Sequence, residues 1–244
     1  MSSAPNPELS VALLAGGLAT RLMPITETIP KCLVEVAGRP FLEHQFEHLR
    51  RCGLRKVVLC VGHLGERVRD FAGDGQRFGL EVTYSFDGTT PLGTGGALRQ
   101  ALPLLTDPFF VLYGDSYLPI DFNVIAQRFL QDPALGCMTV YRNNHQWDKS
   151  NVWFDDGVLH LYHKRHLDAR MRHIDYGLGL LRHEAFTQGA TVGAFELASL
   201  YEKLVSAGRL QGQEVMQRFY EIGSHAGLKE LDAYLLRPPL SSNP

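Results

Sequence analysis

VALLAGGLATRLMPITETIPK, residues 11–31, gives the strongest indication of the fold class in this sequence. It runs from an apolar segment of strand length through Gly16 and Gly17 to two cations, Arg21 and Lys31. Glycines let backbone N–H groups approach an anion closely, and successive N–H groups form a concave anion-binding nest. In an open α/β sheet, ligands bind beyond the carboxyl ends of the strands. The stretch therefore predicts an anion-binding turn after a strand, and a plain strand-to-helix turn with two surface cations is the alternative.

The spacing of the glycines excludes two common phosphate-binding designs. The stretch matches neither G-x-G-x-x-G nor G-x-x-x-x-G-K-[ST], so neither a dinucleotide fingerprint nor a P-loop is present. A different phosphate-binding turn is required.

The rest of the chain predicts a Rossmann-like three-layer α/β/α fold with a mainly parallel mixed sheet. Most of the apolar runs are too uniform for a half-exposed sheet, so both faces should be covered by helices. Residues 40–53 and 197–205 have the apolar spacing of such helices. NVWFDDGVLHLYH, residues 151–163, predicts a small β-hairpin insertion that forms a lid or a floor beside the main sheet. The predicted strands are 10–15, 56–62, 81–86, 109–114, 136–141 and 174–182.

Composition narrows the class of partner. The chain has 244 residues, with 24 Lys and Arg against 26 Asp and Glu, so it offers no polybasic face for nucleic acid or an anionic membrane. Its four cysteines form no C-x-x-C pair, which indicates free thiols in a reducing compartment. The N-terminus is polar and contains no signal-peptide pattern. We expect a cytoplasmic protein with one domain over residues 1–236, a flexible tail at 237–244, and a possible homodimer.

A longer stretch carries a family resemblance. LLAGGLATRLMPITETIPKCLVEVAGRPFLEHQ, residues 13–45, resembles the signature of the nucleoside-diphosphate-sugar pyrophosphorylases, which are sugar-1-phosphate nucleotidyltransferases. PLGTGGAL at 91–98, VLYGDSY at 111–117 and IDYGLGLLR at 174–182 continue the similarity. The sequence departs from the family pattern at Ala19, where a glycine is usual, and at Cys32, where a proline usually follows the lysine. The resemblance implies a GT-A-like nucleotidyltransferase fold and transfer of a nucleoside monophosphate from an NTP to a sugar 1-phosphate.

The resemblance also implies which residues bind the nucleotide. PLGTGGAL is similar to the P-L-G-T-A-G segment of guanylyltransferases, which favours GTP. Asp87 is able to accept hydrogen bonds from the N1–H and N2–H₂ groups of guanine, and a turn residue is the alternative. UTP- or CTP-dependent transfer, for example to N-acetylmuramate 1-phosphate, remains open. The nucleotide-binding residues expected are Leu14, Ala15, Gly16, Gly17, Thr20, Asp87, Gly93 and Thr94.

Charged residues complete the expected catalytic set. The resemblance places Asp115 on the family's metal-binding aspartate, and Glu221 stands where a second metal carboxylate is usual. Both offer the hard oxygen atoms that Mg²⁺ prefers, so Mg²⁺ is the expected cofactor. Arg21 is assigned to the β- and γ-phosphates, and Lys31 to the α-phosphate and the attacking phosphate. The alternatives are a turn or N-cap residue for Asp115 and an exposed acid for Glu221.

The acceptor side is less typical of the family. Lys164 matches the lysine of an E-K-P-like motif that holds the sugar phosphate in the family, although the flanking glutamate and proline are absent. Asp175 and Gly177 fall where relatives contact sugar hydroxyls, and Asn151 replaces a glycine near the sugar ring. Short relatives of this appearance resemble mannose- or heptose-1-phosphate guanylyltransferases, so we expect an acceptor of that type. Asp175 as an edge-strand acid and Asn151 as a turn residue are the alternatives.

Two other functional classes and a possible histidine metal site are disfavoured by the sequence. A glycosyltransferase would carry D-x-D, but Tyr117 occupies the second acidic position, and a sugar-nucleotide sensor without activity would have lost part of the charged set. His160, His163 and His166 lie close together in sequence, but residues i and i+3 of a strand face opposite sides. A solvated hairpin is therefore expected rather than a metal site.

Overall fold

The computed structural model describes residues 8–17, 22–166, 168–187 and 193–237. Thr20 and Arg21 of the predicted site lie outside these residues, as does most of the predicted tail.

The core is a nine-stranded mixed sheet. Its strands are β1 (Val11–Leu14), β4 (Lys56–Val61), β5 (Glu81–Phe86), β6 (Phe109–Tyr113), β8 (Gly136–Arg142), β9 (Val152–Asp155), β10 (Val158–Tyr162), β11 (His173–Leu181) and β12 (Leu210–Val215). Neighbouring strands follow the order β10-β9-β11-β6-β1-β4-β5, and β8 joins β11 to β12. The pairs β1–β4, β1–β6, β4–β5 and β8–β12 are parallel, whereas β11 runs antiparallel to β6, β8 and β9. The mainly parallel mixed sheet predicted from the sequence is confirmed.

Helices cover both faces of this sheet, which gives the three-layer arrangement. Alternate residues of β1 belong to different cores: Val11 and Leu13 pack on one side, and Ala12 on the other. The covering helices are α1 (Phe41–Arg51), α2 (Gly65–Ala72), α3 (Gly93–Ala101), α4 (Phe122–Leu130) and α5 (Leu197–Ser206). Helices α1, α2 and α4 bury apolar residues in the first core, and α3 and α5 bury them in the second.

A third, smaller apolar cluster lies beside the main sheet. It joins two short strand pairs to the last helix described, and it contains Val36, Tyr117, Ile222 and Leu231. The elements are β2 (Glu35–Val36), β3 (Arg39–Pro40), β7 (Ser116–Tyr117), β13 (Tyr220–Glu221) and α6 (His225–Leu235).

The predicted hairpin forms, but its place differs from the expectation. Asp156 and Gly157 both have positive φ, as a tight turn between two antiparallel strands requires. Val152 pairs with His173 of β11, so β9 and β10 extend the edge of the main sheet instead of lying beside it as a separate lid or floor.

Two further observations concern the cysteines and the helices. All four cysteines are free thiols, as predicted, and all four are buried. Within the described ranges, no helix has both the length and the apolar character needed to span a bilayer.

Candidate active site

Close contact between β1 and β6 forms the floor of a cleft at the carboxyl edge of the sheet. The Gly114 N–H group donates to the Leu14 carbonyl oxygen at 2.9 Å. A Cβ atom on Gly114 would lie 2.6 Å from that oxygen, so only glycine fits between the two strands. The next residue is Asp115, which is therefore held beside the turn that follows β1. The glycine turn and Asp115 are thus neighbours at the carboxyl edge of the sheet.

Lys31 reaches the same point from another part of the chain. It begins a short 3₁₀ helix, Lys31–Leu33, directly after Pro30. Its Nζ atom lies 2.7 Å from Oδ2 of Asp115, and the side chains are 17% and 35% exposed. This partly buried ion pair joins residues that are 84 positions apart in sequence.

Glu221 is brought to this pair by the small sheet of β7 and β13. Glu221 is paired with Ser116, and the Ile222 N–H group donates to the Asp115 carbonyl oxygen at 2.9 Å. A Cβ atom on Gly223 would lie 3.5 Å from Glu221 Oε1 and 3.6 Å from Lys31 Nζ, so both side chains border one small volume. Two carboxylates and one ammonium group thus lie together: Lys31 and Asp115 in the cleft lining, and Glu221 directly beside them.

Helix α6 fixes the backbone of Glu221, which gives a first testable prediction. A Cβ atom on Gly227 would overlap the Glu221 carbonyl oxygen. Gly227→Ala is therefore expected to displace either α6 or Glu221, with a loss of about 1–3 kcal/mol in the free energy of unfolding and lower activity. Denaturant unfolding and initial-rate assays measure both quantities. Lys229→Ala, at an exposed position of the same helix, is the control and should change neither; wild-type behaviour of Gly227→Ala would contradict this role.

Glycines and an acid form one wall of the cleft. Gly16 packs against the backbone of Gly62, and the Asp87 carboxylate lies beside both. Oδ2 of Asp87 accepts a long hydrogen bond of 3.4 Å from the Leu92 N–H group. Burial raises the pKa of Asp87, and this hydrogen bond offsets part of the rise. Asp87 is thus a partly desolvated acceptor at the end of β5.

A second wall is the first turn of α3 and the segment that packs on it. The N–H groups of Gly95 and Gly96 donate to the Phe195 carbonyl oxygen at 2.9 and 3.2 Å. The Thr94 hydroxyl donates to Oε2 of Glu196 at 2.8 Å. This wall therefore joins the PLGTGGAL segment to residues about a hundred positions later.

The residues predicted for the acceptor lie together on a neighbouring surface. Gly177 has a φ of +95° and lies in a bulge of β11, which changes the direction of the strand at Asp175. The Asp175 carboxylate accepts from the Gly177 N–H group at 3.0 Å, and the Asp175 N–H group donates to Oδ1 of Asn151 at 2.9 Å. Burial raises the pKa of Asp175, and nearby Lys164 offsets part of the rise. Lys164 Nζ lies 5.6 Å from the ring centre of Tyr113.

These walls enclose a cleft of about 690 Å³. Tyr113 lines it and also contacts the surface of Lys164 and Gly177, so the two groups of predicted residues adjoin. Glu221 and the four acceptor-side residues do not line the cleft themselves. His63, Tyr113 and Glu196 line the cleft but were not predicted from the sequence. The predicted residues that line the cleft are Leu14, Ala15, Gly16, Gly17, Lys31, Asp87, Gly93, Thr94 and Asp115.

The three histidines of the hairpin form no metal site. The His160 ring stacks on Trp153 with 4.5 Å between ring centres. Nδ1 of His163 accepts from the N–H groups of Arg165 and His166, both at 3.0 Å. Among the residues that the structure describes, no group of three or more His, Cys, Asp or Glu side chains is arranged to hold a metal ion.

Comparison with known proteins agrees with this fold. Residues 11–150 match the model of the family described as Nucleotidyl transferase, so the chain belongs to that family. The matched region contains the glycine turn, Lys31, Asp87 and Asp115. The family resemblance predicted from the sequence is confirmed, and with it the prediction of a nucleotidyltransferase.

Relatives of known function differ in the substrates they are named for. The N-acetylmuramate α-1-phosphate uridylyltransferase of Neisseria meningitidis is 29% identical over 231 residues, covering 92% of this chain and 97% of that protein. The D-glycero-α-D-manno-heptose 1-phosphate guanylyltransferase of Campylobacter jejuni is 29% identical, covering 80% and 88%. The catalytic subunit beta of the Danio rerio mannose-1-phosphate guanylyltransferase is 41% identical over 136 residues, which are 54% of this chain and 38% of that protein.

Solved structures share the fold. A putative glucose-1-phosphate thymidylyltransferase from Bacillus anthracis superposes with a TM-score of 0.83 at 20% identity, covering 95% of this chain and 97% of that one. HddC from Yersinia pseudotuberculosis, solved with GMP-PN, superposes with a TM-score of 0.74 at 20% identity, covering 93% and 99%. The expected nucleotidyltransferase fold is thereby confirmed.

Proposed function

We propose that this protein transfers a nucleoside monophosphate from an NTP to a sugar 1-phosphate and releases pyrophosphate. GTP is the favoured donor, and a mannose- or heptose-type sugar 1-phosphate the favoured acceptor. Family membership supports the reaction class, and the guanylyltransferases of Campylobacter jejuni and Danio rerio support the choice of substrates. Transfer from UTP, as the name of the Neisseria relative indicates, is the second candidate.

The observation that carries the proposal is the contact between Lys31 and Asp115 at the floor of a cleft beside the glycine turn. In this reaction an acceptor phosphate oxygen attacks the α-phosphorus in line with the departing pyrophosphate, so no covalent enzyme intermediate is needed. We assign Lys31 to the α-phosphate and the attacking phosphate, where an ammonium group offsets the charge of both. The N–H groups of Gly16 and Gly17 and the Arg21 side chain are assigned to the rest of the triphosphate.

The carboxylate in the cleft lining and the one beside it fit a hard divalent cation. Asp115 and Glu221 supply oxygen ligands, and Mg²⁺ characteristically binds one or two carboxylates together with substrate phosphates and water. When bound, Mg²⁺ neutralises charge on the phosphates that the reaction brings together. Lys31 already contacts Asp115 and would share the phosphate oxygens with the metal.

Base recognition is assigned to Asp87 at the wall of the cleft. Its carboxylate is only an acceptor, and guanine presents two adjacent donors, N1–H and N2–H₂, that adenine lacks on that edge. Partial burial strengthens such a hydrogen bond because water competes less for both partners. Asp87 therefore favours GTP over ATP.

Replacing Asp87 tests this assignment. Asp87→Asn keeps the shape but replaces one acceptor by a donor, so we expect kcat/KM with GTP to fall roughly 10- to 100-fold while kcat/KM with ATP changes little. Initial rates with each NTP measure the ratio. Asp70→Asn, in an exposed position of α2, is the matched control. An unchanged GTP-to-ATP ratio would remove Asp87 from base recognition.

The activity itself is tested by following pyrophosphate. The protein is incubated with Mg²⁺, each of GTP, UTP, CTP, dTTP and ATP, and a panel of mannose, heptose, glucose, N-acetylglucosamine and N-acetylmuramate 1-phosphates. We expect release that requires the acceptor and is fastest with GTP and a mannose- or heptose-type acceptor. Nucleotide binding without acceptor-dependent release would instead identify a sugar-nucleotide sensor and contradict the proposal.

A further inference from the structure

Glu196 is a cleft residue that no sequence motif singled out. It directly precedes α5, and its Oε2 atom accepts from the Thr94 hydroxyl at 2.8 Å. The same hydroxyl accepts from the Leu197 N–H group at 2.8 Å. Because the hydroxyl proton points to Glu196, the polar side chain that this wall offers to a ligand is the Glu196 carboxylate rather than Thr94.

The first turn of α3 fixes the position of that carboxylate. Gly93 has a φ of +69°, and a Cβ atom there would lie 2.6 Å from the Phe195 carbonyl oxygen and 3.0 Å from Glu196 Oε1. Glycine is therefore required for the Glu196 segment to lie against the helix. The N-terminal end of a helix carries partial positive charge, which attracts an adjacent carboxylate. Glu196 thus presents an ordered negative charge to the cleft.

Tyr113 connects this carboxylate to the acceptor side. Tyr113 lines the cleft together with Glu196, and Lys164 Nζ on the acceptor side lies 5.6 Å from its ring centre. The hydroxyl of Tyr113 is buried and has no hydrogen-bond partner in the described part of the chain. Polar groups left without partners in this way point to a polar ligand that completes them.

The charge on this side of the cleft is mostly negative. Glu196 lines it, and Asp175 lies on the adjoining acceptor surface, where Lys164 lies near Asp175 and over the Tyr113 ring. Lys164 is already assigned to the acceptor phosphate. Beyond the phosphate, a substrate therefore meets hydrogen-bond acceptors and the buried Tyr113 hydroxyl.

We propose that Glu196 is a specificity-determining residue that accepts a hydrogen bond from a hydroxyl of the acceptor sugar and disfavours sugars that carry a carboxylate. This inference rests on the proposed function and adds a substrate class, the neutral sugar 1-phosphates. A carboxylate accepts but does not donate, so a sugar hydroxyl satisfies it and a second carboxylate is repelled. Repulsion is strongest where the cleft walls exclude water.

Pairs of acceptors that differ by one group test the inference. Glucose and glucuronate 1-phosphates, and mannose and mannuronate 1-phosphates, each differ by a hydroxymethyl group against a carboxylate. N-acetylglucosamine and N-acetylmuramate 1-phosphates differ by a lactyl group. Steady-state rates are measured with wild type, Glu196→Gln, Thr94→Val and Glu66→Gln. Glu66 lies exposed in the first turn of α2 and is a control for removal of an acid at a helix N-terminus.

Wild type is expected to use the neutral member of each pair at least tenfold better. Glu196→Gln should lower kcat/KM for neutral acceptors roughly 10- to 100-fold, mainly through KM for the sugar, and should reduce the discrimination against the acidic member. Thr94→Val removes the hydroxyl that positions Glu196 and should produce the same change in sugar discrimination, whereas Thr94→Ser should retain the wild-type discrimination. KM for the NTP should stay within about twofold in Glu196→Gln, and Glu66→Gln should match wild type.

Three results would overturn the inference. Glu196→Gln with an unchanged sugar KM, an effect confined to the KM of the NTP, or equal losses for neutral and acidic acceptors would each remove Glu196 from sugar selection. A wild-type protein that transfers to no acceptor would overturn the proposed function itself, and is distinguished by the absence of acceptor-dependent pyrophosphate. Thermal unfolding of each variant separates a folding defect from a change in sugar selection. A change in sugar selection also requires that Thr94→Val and Glu196→Gln show the same altered specificity.

Discussion

Replacing Lys31 by alanine is expected to lower kcat on the order of 10²–10³-fold, with the free energy of unfolding changed by about 1 kcal/mol or less. The rate falls because a positive charge fixed at the reacting phosphates is lost, and water does not replace it without reorganising. Stability changes little because the ion pair with Asp115 is partly exposed, so the solvent screens much of the attraction that is removed. Single-turnover rates and denaturant unfolding measure the two quantities.

Lys56→Ala is the matched control for this experiment. Lys56 also forms an ion pair with an acid, at 2.8 Å to Glu8, but it is exposed and lies away from the cleft. It should retain wild-type rates. A large loss of stability in Lys31→Ala that accounts for the loss of activity would mean that Lys31 supports the fold rather than the reaction.

Asp115→Ala is expected to have an effect of similar size, again on the order of 10²–10³ in kcat. Two losses combine: a carboxylate suited to Mg²⁺ disappears, and Lys31 loses the contact that holds its amino group at the cleft floor. Asp115→Asn keeps the volume and one acceptor oxygen but not the charge, so it should recover little activity. Titration with Mg²⁺ should show that higher concentrations restore part of the rate.

The double variant Lys31→Ala/Asp115→Ala tests whether the two residues act as a unit. Because they contact each other, the double variant should lose much less than the product of the two single losses. Losses that multiply would show that the residues act independently and would contradict a shared role. Asp168→Ala, which removes the partner of Arg170 outside the cleft, should leave activity unchanged.

The sequence specified the sheet well where strands are buried on both faces. The strands at 11–14, 56–61 and 109–113 have uninterrupted apolar runs, since helices cover both sides of each. The strand Leu210–Val215 was missed because LQGQEV carries polar residues that are satisfied only in the folded chain. Gln213 is buried there, and its side-chain amide donates to the Ile125 carbonyl oxygen at 3.1 Å.

The site shows the same difference between local sequence patterns and long-range contacts. Lys31 and Asp115 could be singled out because each stands in a short stretch that carries the family resemblance, ending in TIPK and in YGDSY. Glu196 carries no motif, and its place in the cleft depends on the packing of its segment on Gly93 and Thr94, more than a hundred residues earlier in the chain. The position of the hairpin at the edge of the sheet likewise depends on one long-range pair, Val152 with His173. Such contacts leave no local pattern in the sequence.

The central claim is that Lys31, Asp115 and the turn after β1 converge on one triphosphate. A crystal structure with a non-hydrolysable GTP analogue and Mg²⁺ tests it most directly. The account predicts an α-phosphate oxygen within hydrogen-bond distance of Lys31 Nζ, the metal on Asp115, and the phosphates along Gly16 and Gly17. A nucleotide bound elsewhere, or one bound in the cleft with its phosphates away from Lys31 and Asp115, would contradict it.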